Sequence, residues 1–148
     1  MGEIGLRAVL VVEDDDAVRG FLTFALQSAG HPALGVRTGE EAMAMMRDTP
    51  AAVILIDGIL PDMHGIRLAR AILEDPEIEP VAISFVTGAI RDGRTPRAGV
   101  GALSKPLRAR DLVDAVDALL RWRAAGGSPL VERQAALAEL ELIFLVGA

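Results

Sequence analysis

A chain of 148 residues is expected to form one domain with a short extension, long enough to bury roughly two thirds of its unfolded surface. Hydrophobic residues at 51% and charged residues at 24% describe a folded globular protein, and 15 Gly and 8 Pro are too dispersed for low complexity. A net charge of −6 argues against nucleic acid or anionic lipid as partners, and the lack of cysteine removes thiolate nucleophiles, disulfides and Cys-based metal sites.

The first residues lack the cationic-then-apolar layout of a signal peptide, and no apolar run approaches the ~20 residues of a membrane helix, so the expected setting is a reducing cytoplasm. Arg7 to Val12 (RAVLVV) is a short continuous apolar run, the pattern of a strand buried on both faces of a parallel sheet. It meets Glu13, Asp14, Asp15 and Asp16. Val18, Phe21, Leu22, Ala25 and Leu26 then fall at helical spacing, behind an acidic N-cap and ahead of Ala29-Gly30, where glycine accepts a left-handed cap. A second strand from about Pro32 to Val36 precedes Thr38 and Glu41, a capping box that opens a Met- and Ala-rich helix to about Arg47. Met43 and Met46 read as core packing, not as a ligand set.

Ala51 to Ile56 (AAVILI) is the third strand, and it stops at a lone Asp57. An apolar run that ends at a carboxylate, before a loop with its own Pro61 and Gly65, reads as a buried strand whose next side chain emerges into a cleft. Ile66 to about Leu73 is a third helix, Pro80 to Val86 a fourth strand and Gly101 to Leu103 a weak fifth; Asp111 to Trp122 is an amphipathic helix. The intervening GAIRDGRTPRAG (88–99) is interrupted by Gly and Pro in every window long enough to nucleate a helix, so a stable helix is not expected there. After Gly126-Gly127, Ser128 and Pro129 make an N-cap and N1 pair, opening a helix through about Val146 with Leu130, Leu137, Leu140 and Phe144 at heptad-like positions.

Alternating apolar strands and helices predict an α/β fold, a doubly wound five-stranded parallel sheet in the flavodoxin-like order 2-1-3-4-5, with the fourth helix short or missing. In that order the first and third strands are neighbours where the winding reverses, and a crevice opens at their carboxyl ends. Glu13, Asp14 and Asp57 all lie there.

VVEDD (11–15), LIDGILPDMHG (55–65), FVTG (85–88) and LSKPL (103–107) resemble, in order, the receiver domain of two-component response regulators, over roughly residues 7 to 123. FVTGA is also similar to the FATGY-type variant of that family, with Ala89 in place of its terminal aromatic. The resemblance implies that Asp57 accepts a phosphoryl group from a histidine kinase or phosphotransfer protein, and that a downstream protein partner is switched. It implies Glu13 and Asp14 as the acidic pair, the backbone carbonyl of Ile59 as a further metal ligand, Thr87 as a hydroxyl and Lys105 as a cation at the site. Chemistry agrees with these roles. Three carboxylates in one crevice raise each other's cost of ionisation unless a cation joins them, and Mg²⁺ takes oxygen ligands while bridging carboxylates to phosphate. Asp57 then serves as a carboxylate nucleophile in a switch whose chemistry is on itself, not an enzyme. An apolar Ile59 beside it predicts slow self-dephosphorylation.

Taken singly, a strand-end Asp is usually a solvated loop residue, EDDD a helix N-terminus, Lys105 a surface lysine and Thr87 an ordinary strand residue; their joint order at four strand ends outweighs this. His64, in a polar turn, is assigned no ligand or catalytic role. The family's switch aromatic, three positions before the lysine, falls on Ala102, which favours an alternative: a pseudo-receiver that serves as a protein-interaction module without phosphorylation. A haloacid dehalogenase-type phosphatase would need an acid at Ile59. Residues 1–125 are expected to form the receiver domain and 126–148 a linker and C-terminal helix. ERQAALAELELIF resembles the helix leading into a PAS sensor domain, which makes a further domain an expectation as well. The tail helix is expected to cover apolar surface near strands four and five, in its own chain or across a homodimer.

Overall fold

Val9–Val12 (β1) and Val53–Ile56 (β3) are apolar and buried at every position, because helices cover both faces of the sheet they centre. The protein is described by a computed structural model over residues 8–147, with side chains through Phe144; Arg7, predicted to start the first strand, lies outside the described residues, as does Ala148. Strands Ala33–Val36 (β2), Ala82–Thr87 (β4), Arg94–Arg97 (β5) and Val100–Ser104 (β6) complete one sheet of order β2-β1-β3-β4-β6-β5. Its first five members are parallel and reproduce the predicted 2-1-3-4-5 winding, with β6 as the fifth parallel strand.

The helices are Asp16–Ser28 (α1), Gly39–Asp48 (α2), Gly65–Glu74 (α3), Ala109–Ala124 (α4) and Leu130–Gly147 (α5). Their caps follow from local chemistry. Asp15 Oδ1 accepts from the Val18 amide at 2.9 Å, Thr38 Oγ1 from Glu41 at 3.1 Å and His64 Nδ1 from Ile66 at 3.1 Å. One face of the sheet packs Leu22, Leu26, Leu112, Val116 and Leu119 of α1 and α4 against Val9, Val11, Val53 and Leu55. The other packs α2, α3 and α5 against Ile54, Ile56, Ile83, Phe85, Val100 and Ala102.

Between β4 and β6 no helix forms. Residues 88–93 bend, Ile90 plugs the core, and β5 returns as an antiparallel edge through a tight turn at Ala98 (φ 53°) and Gly99 (φ 71°). Two successive left-handed residues match the twist of a two-residue hairpin. This sixth strand was not expected: RTPR has neither apolar alternation nor burial to announce it.

The face left bare by the absent helix is covered by α5 of the same chain. Ala136, Leu137, Leu140 and Phe144 are buried there, and three large side chains at roughly 1.5–3 kcal/mol each offset the few kcal/mol needed to order the hinge. Arg70–Glu141 and Arg97–Glu139, each 2.8 Å, flank the seam. Arg133 is buried and donates to the carbonyls of Val81 and Ala98, with its guanidinium 4.7 Å from the Trp122 ring centroid. Arg133 thus sits at the start of β4, whereas Phe144 meets Phe85 edge-on further along it, so α5 runs in the direction of the strands. One local expectation fails. Ser128 does not cap α5; its hydroxyl accepts the Trp122 indole N–H at 2.9 Å, and the helical ladder opens with the Glu132 and Arg133 amides donating to the Pro129 carbonyl.

Candidate functional site

The site is built by strand register. Asp57 N–H donates to Val12 O at 3.0 Å, which sets the residue after β3 level with Glu13 after β1. Lys105 N–H donates to Thr87 O at 2.9 Å, aligning the ends of β4 and β6 in the same way. Four strand ends therefore deliver Glu13, Asp14, Asp57, Thr87 and Lys105 to one rim. The loop after Asp57 folds back tightly: Gly65 N–H donates to Gly58 O at 2.7 Å, and a Cβ at Gly65 would collide with the Asp57 carbonyl. Asp62, further along this loop, accepts from the Gly39 and Glu40 amides at 2.9 Å each and ties it to the start of α2.

Glu13, Asp14 and Asp57 each present an oxygen within 4.8 Å of the others. Glu13 is buried, Asp57 is 13% exposed in its side chain, and Asp14 faces solvent. Lys105 Nζ bonds Glu13 and lies 3.4 Å from Asp57 Oδ2, so one ammonium bridges two acids. Burial pushes the Glu13 carboxyl above its usual range; the Lys105 hydrogen bond opposes this, and the Asp57 carboxylate adds to the push. Burial works against the Lys105 ammonium too, yet its hydrogen bond to Glu13 and the two carboxylate charges outweigh that and raise its pKa. Thr87 is buried, and its Oγ1 accepts from the Ala89 amide at 3.1 Å, which leaves the hydroxyl proton free to donate. Ile59 projects outward with 63% exposure, while its N–H donates to Asp57 Oδ1 at 3.4 Å.

A family model for the response regulator receiver domain matches residues 9–117. The chain belongs to this family. It is 35% identical over 121 residues to the response regulator receiver protein CpdR of Brucella abortus, covering 78% of this chain and 98% of that protein. It is 31% identical over 126 residues to the phosphate regulon transcriptional regulatory protein PhoB of Pseudomonas aeruginosa, with 82% of this chain and 55% of that protein covered, so it spans about half the length of such a regulator. Among solved structures, the receiver domain of the hybrid histidine kinase CckA matches at TM-score 0.65 and 26% identity, covering 76% of this chain and 98% of that one. The chemotaxis response regulator CheY4 of Vibrio cholerae, at TM-score 0.66 and 22% identity over 78% and 99% of the two chains, shares the fold. This receiver is therefore a component of two-component signalling, with an acidic cluster at the carboxyl edge of its sheet. No helix among its described residues is long and apolar enough to cross a membrane.

The structure brings Glu13, Asp14, Asp57, Thr87 and Lys105 to one rim, whereas of Ile59 it directs the amide, not the carbonyl implied by the resemblance, at Asp57. It also adds neighbours to which sequence reading gave no part. The edge of Phe144 lies directly over Gly58, where an added Cβ would strike both its ring and, at 2.9 Å, Thr87 Oγ1. His64 meets Phe144 edge-on at 5.0 Å and Phe85 does so at 5.2 Å. The available signal was Ala102: with no ring at that position, the space beside Thr87 needs another occupant. Ala102 pairs in register with Phe85 and faces the same core as Phe144.

Proposed function

We propose that this receiver is a phosphoryl-accepting switch in which Asp57 is the acceptor. The observation that carries the reading is the convergence of Glu13, Asp14 and Asp57 oxygens within 4.8 Å of each other, with Lys105 on the same carboxylates. An Asp57 oxygen attacks phosphorus of a phosphohistidine or acyl phosphate; the bond from phosphorus to the donor breaks, and the leaving group departs with its electron pair. Glu13, Asp14 and Asp57, with the Ile59 carbonyl as a further oxygen, would form a hard donor set that fits Mg²⁺, and the exposure of Asp14 leaves room for the waters this ion retains. When bound, Mg²⁺ neutralises charge on the transferring phosphoryl group. Lys105 supplies a point charge to the product, and the Thr87 hydroxyl a hydrogen bond to one of its oxygens.

The donor is a histidine kinase or phosphotransfer protein. A shallow apolar cleft of Ala17, Val18, Phe21, Pro106 and Leu107 adjoins Lys105 and offers such a partner a seat beside the acceptor. Acetyl phosphate with millimolar Mg²⁺, followed by intact mass, tests the reading. One phosphoryl group is expected on the wild type and none on Asp57→Asn; Asp14→Ala is expected to lower Mg²⁺ affinity at least about tenfold. An unmodified wild type would favour the pseudo-receiver, whose support is the missing ring at Ala102.

A further inference from the structure

We propose that Phe144 is a positioning residue of the acceptor site, and that through it the phosphoryl state of Asp57 controls the seating of α5. The proposal rests on Asp57 being the acceptor. Its own basis is geometric. The ring of Phe144, contributed from beyond the matched receiver segment, closes the space above Gly58, the residue after the acceptor. Four groups define that space: the Gly58 Cα, the Thr87 hydroxyl, and the edge-on rings of His64 and Phe85. Phe144 is 5% exposed, with its ring packed against these groups on one side and bordering a small cleft of Ile66, Arg67, Arg70 and Glu141 on the other.

A phosphoryl group brings anionic oxygens that need donors. The Thr87 proton is free to supply one, because Oγ1 now serves only as acceptor for Ala89. The ring supplies none. Swinging the Thr87 hydroxyl toward Asp57 moves it into the space above Gly58 that ring and hydroxyl already share, so the two compete for it. An apolar ring edge also bars water from the oxygens of a charged product. Both effects act in one direction: phosphoryl on Asp57 disfavours the seated ring.

The other end of α5 is held differently. Arg133 is anchored on the carbonyls of Val81 and Ala98 and on Trp122, at the opposite end of the strands. The helix therefore loosens from its Phe144 end, while Arg133 keeps its first turns in place. Its release uncovers Phe85, which pairs in register with Ile56, the residue before the acceptor. The arrangement performs with a residue of the tail what Ala102 cannot perform from β6. By linkage the coupling is reciprocal: whatever unseats the ring favours an anion at Asp57 by the same factor.

The test uses the full chain with Mg²⁺ and either acetyl phosphate, with intact mass to count phosphoryl groups, or beryllium fluoride, whose binding constant is measured. Hydrogen exchange is followed across residues 137–144. The wild type is expected to exchange there at least about fivefold faster once modified, with Asp57→Asn unchanged; Phe144→Ala should bind beryllium fluoride about fivefold more tightly and respond little further in exchange. Phe144→Leu, which keeps the core apolar, should fall between the two. A wild type that gains its phosphoryl group with exchange of α5 unchanged, together with equal beryllium fluoride affinity in both variants, would overturn the coupling and leave the acceptor role standing. Absence of both phosphoryl uptake and beryllium fluoride binding would overturn the acceptor role and the coupling with it.

Discussion

The two faces of this sheet are closed by different means. Over β1 and β3 one face is sealed by α1 and α4, each delivered by the βα unit to which it belongs, with Leu22, Leu26, Leu112 and Leu119 in the seam. Over β4 and β6 the other face is sealed by α5, which reaches it from the tail after a Gly126-Gly127 hinge and runs with the strands. The contrast shows that apolar strand surface dictates an amphipathic cover but not its source. Where 88–99 cannot form a helix, a later segment with the right apolar stripe takes the place. A cover that arrives by way of a hinge can also leave without unfolding the sheet, and this one leans on Gly58 in the loop after Asp57.

The strongest way to break this comparison is to truncate a leucine in each seam. Leu119→Ala, at a fully buried position of α4, is expected to lose about 2–5 kcal/mol in urea denaturation, with exchange rising throughout the sheet. Leu140→Ala makes an equal truncation in α5, and its global loss should be smaller because the helix can undock locally, with exchange rising chiefly in residues 130–144. Equal global losses would mean that both faces are equally integral.

Arg133→Met sharpens the same contrast at the anchored end. Burial lowers the Arg133 pKa to about 10, which still leaves the guanidinium charged at neutral pH, held by two carbonyls and the Trp122 face. Its replacement strands the Val81 and Ala98 carbonyls, so a loss of about 1–3 kcal/mol is expected. The loss should be confined to α5 and be accompanied by a change in emission of Trp122, the single tryptophan.

The hairpin that stands where a helix would otherwise be carries Ala98 at φ 53°, a conformation glycine adopts without cost. Ala98→Gly is expected to gain about 0.5–1 kcal/mol, read as a raised midpoint in urea. The smallest effect belongs to Asp62. The Gly39 amide first, and Glu40 with it, hold its carboxyl below the usual range, so its contribution is present above the unfolded pKa and is lost as pH falls through the lower folded value. Asp62 is exposed, and Asp62→Asn should cost only about a few tenths of a kcal/mol at pH 7, with wild type and variant converging in acid.

The crevice at the carboxyl edge of the sheet was legible in the sequence because its parts lie at the ends of apolar runs: a strand buried on both faces reads as uninterrupted hydrophobicity, and the polar residue that ends it marks the rim. Glu13, Asp57 and Thr87 each announce themselves this way, whereas Lys105, behind Ser104 of a weak strand, was implied by the LSKPL resemblance. The absent fourth helix was legible for a similar local reason, the spacing of Gly and Pro in 88–99. What that segment forms instead was not, since β5 is specified by pairing to β6 and by two turn residues, not by a pattern of its own. Phe144 shows a further limit. Its helical face could be read, but its place over Gly58 depends on where α5 lands against Phe85 and His64, a tertiary fact spread over distant residues. Ser128 fails for the same reason: a cap in sequence terms became the acceptor for Trp122.

The claim on which the rest depends is that Asp57 carries the phosphoryl group, and chemical trapping locates it most directly. Borohydride converts an aspartyl phosphate into homoserine, which peptide mass mapping then assigns to a position. After acetyl phosphate and Mg²⁺, homoserine at residue 57 alone is the predicted result. Homoserine at Asp14, Asp15 or Asp16, or none in a protein that mass spectrometry shows to be phosphorylated, would contradict it.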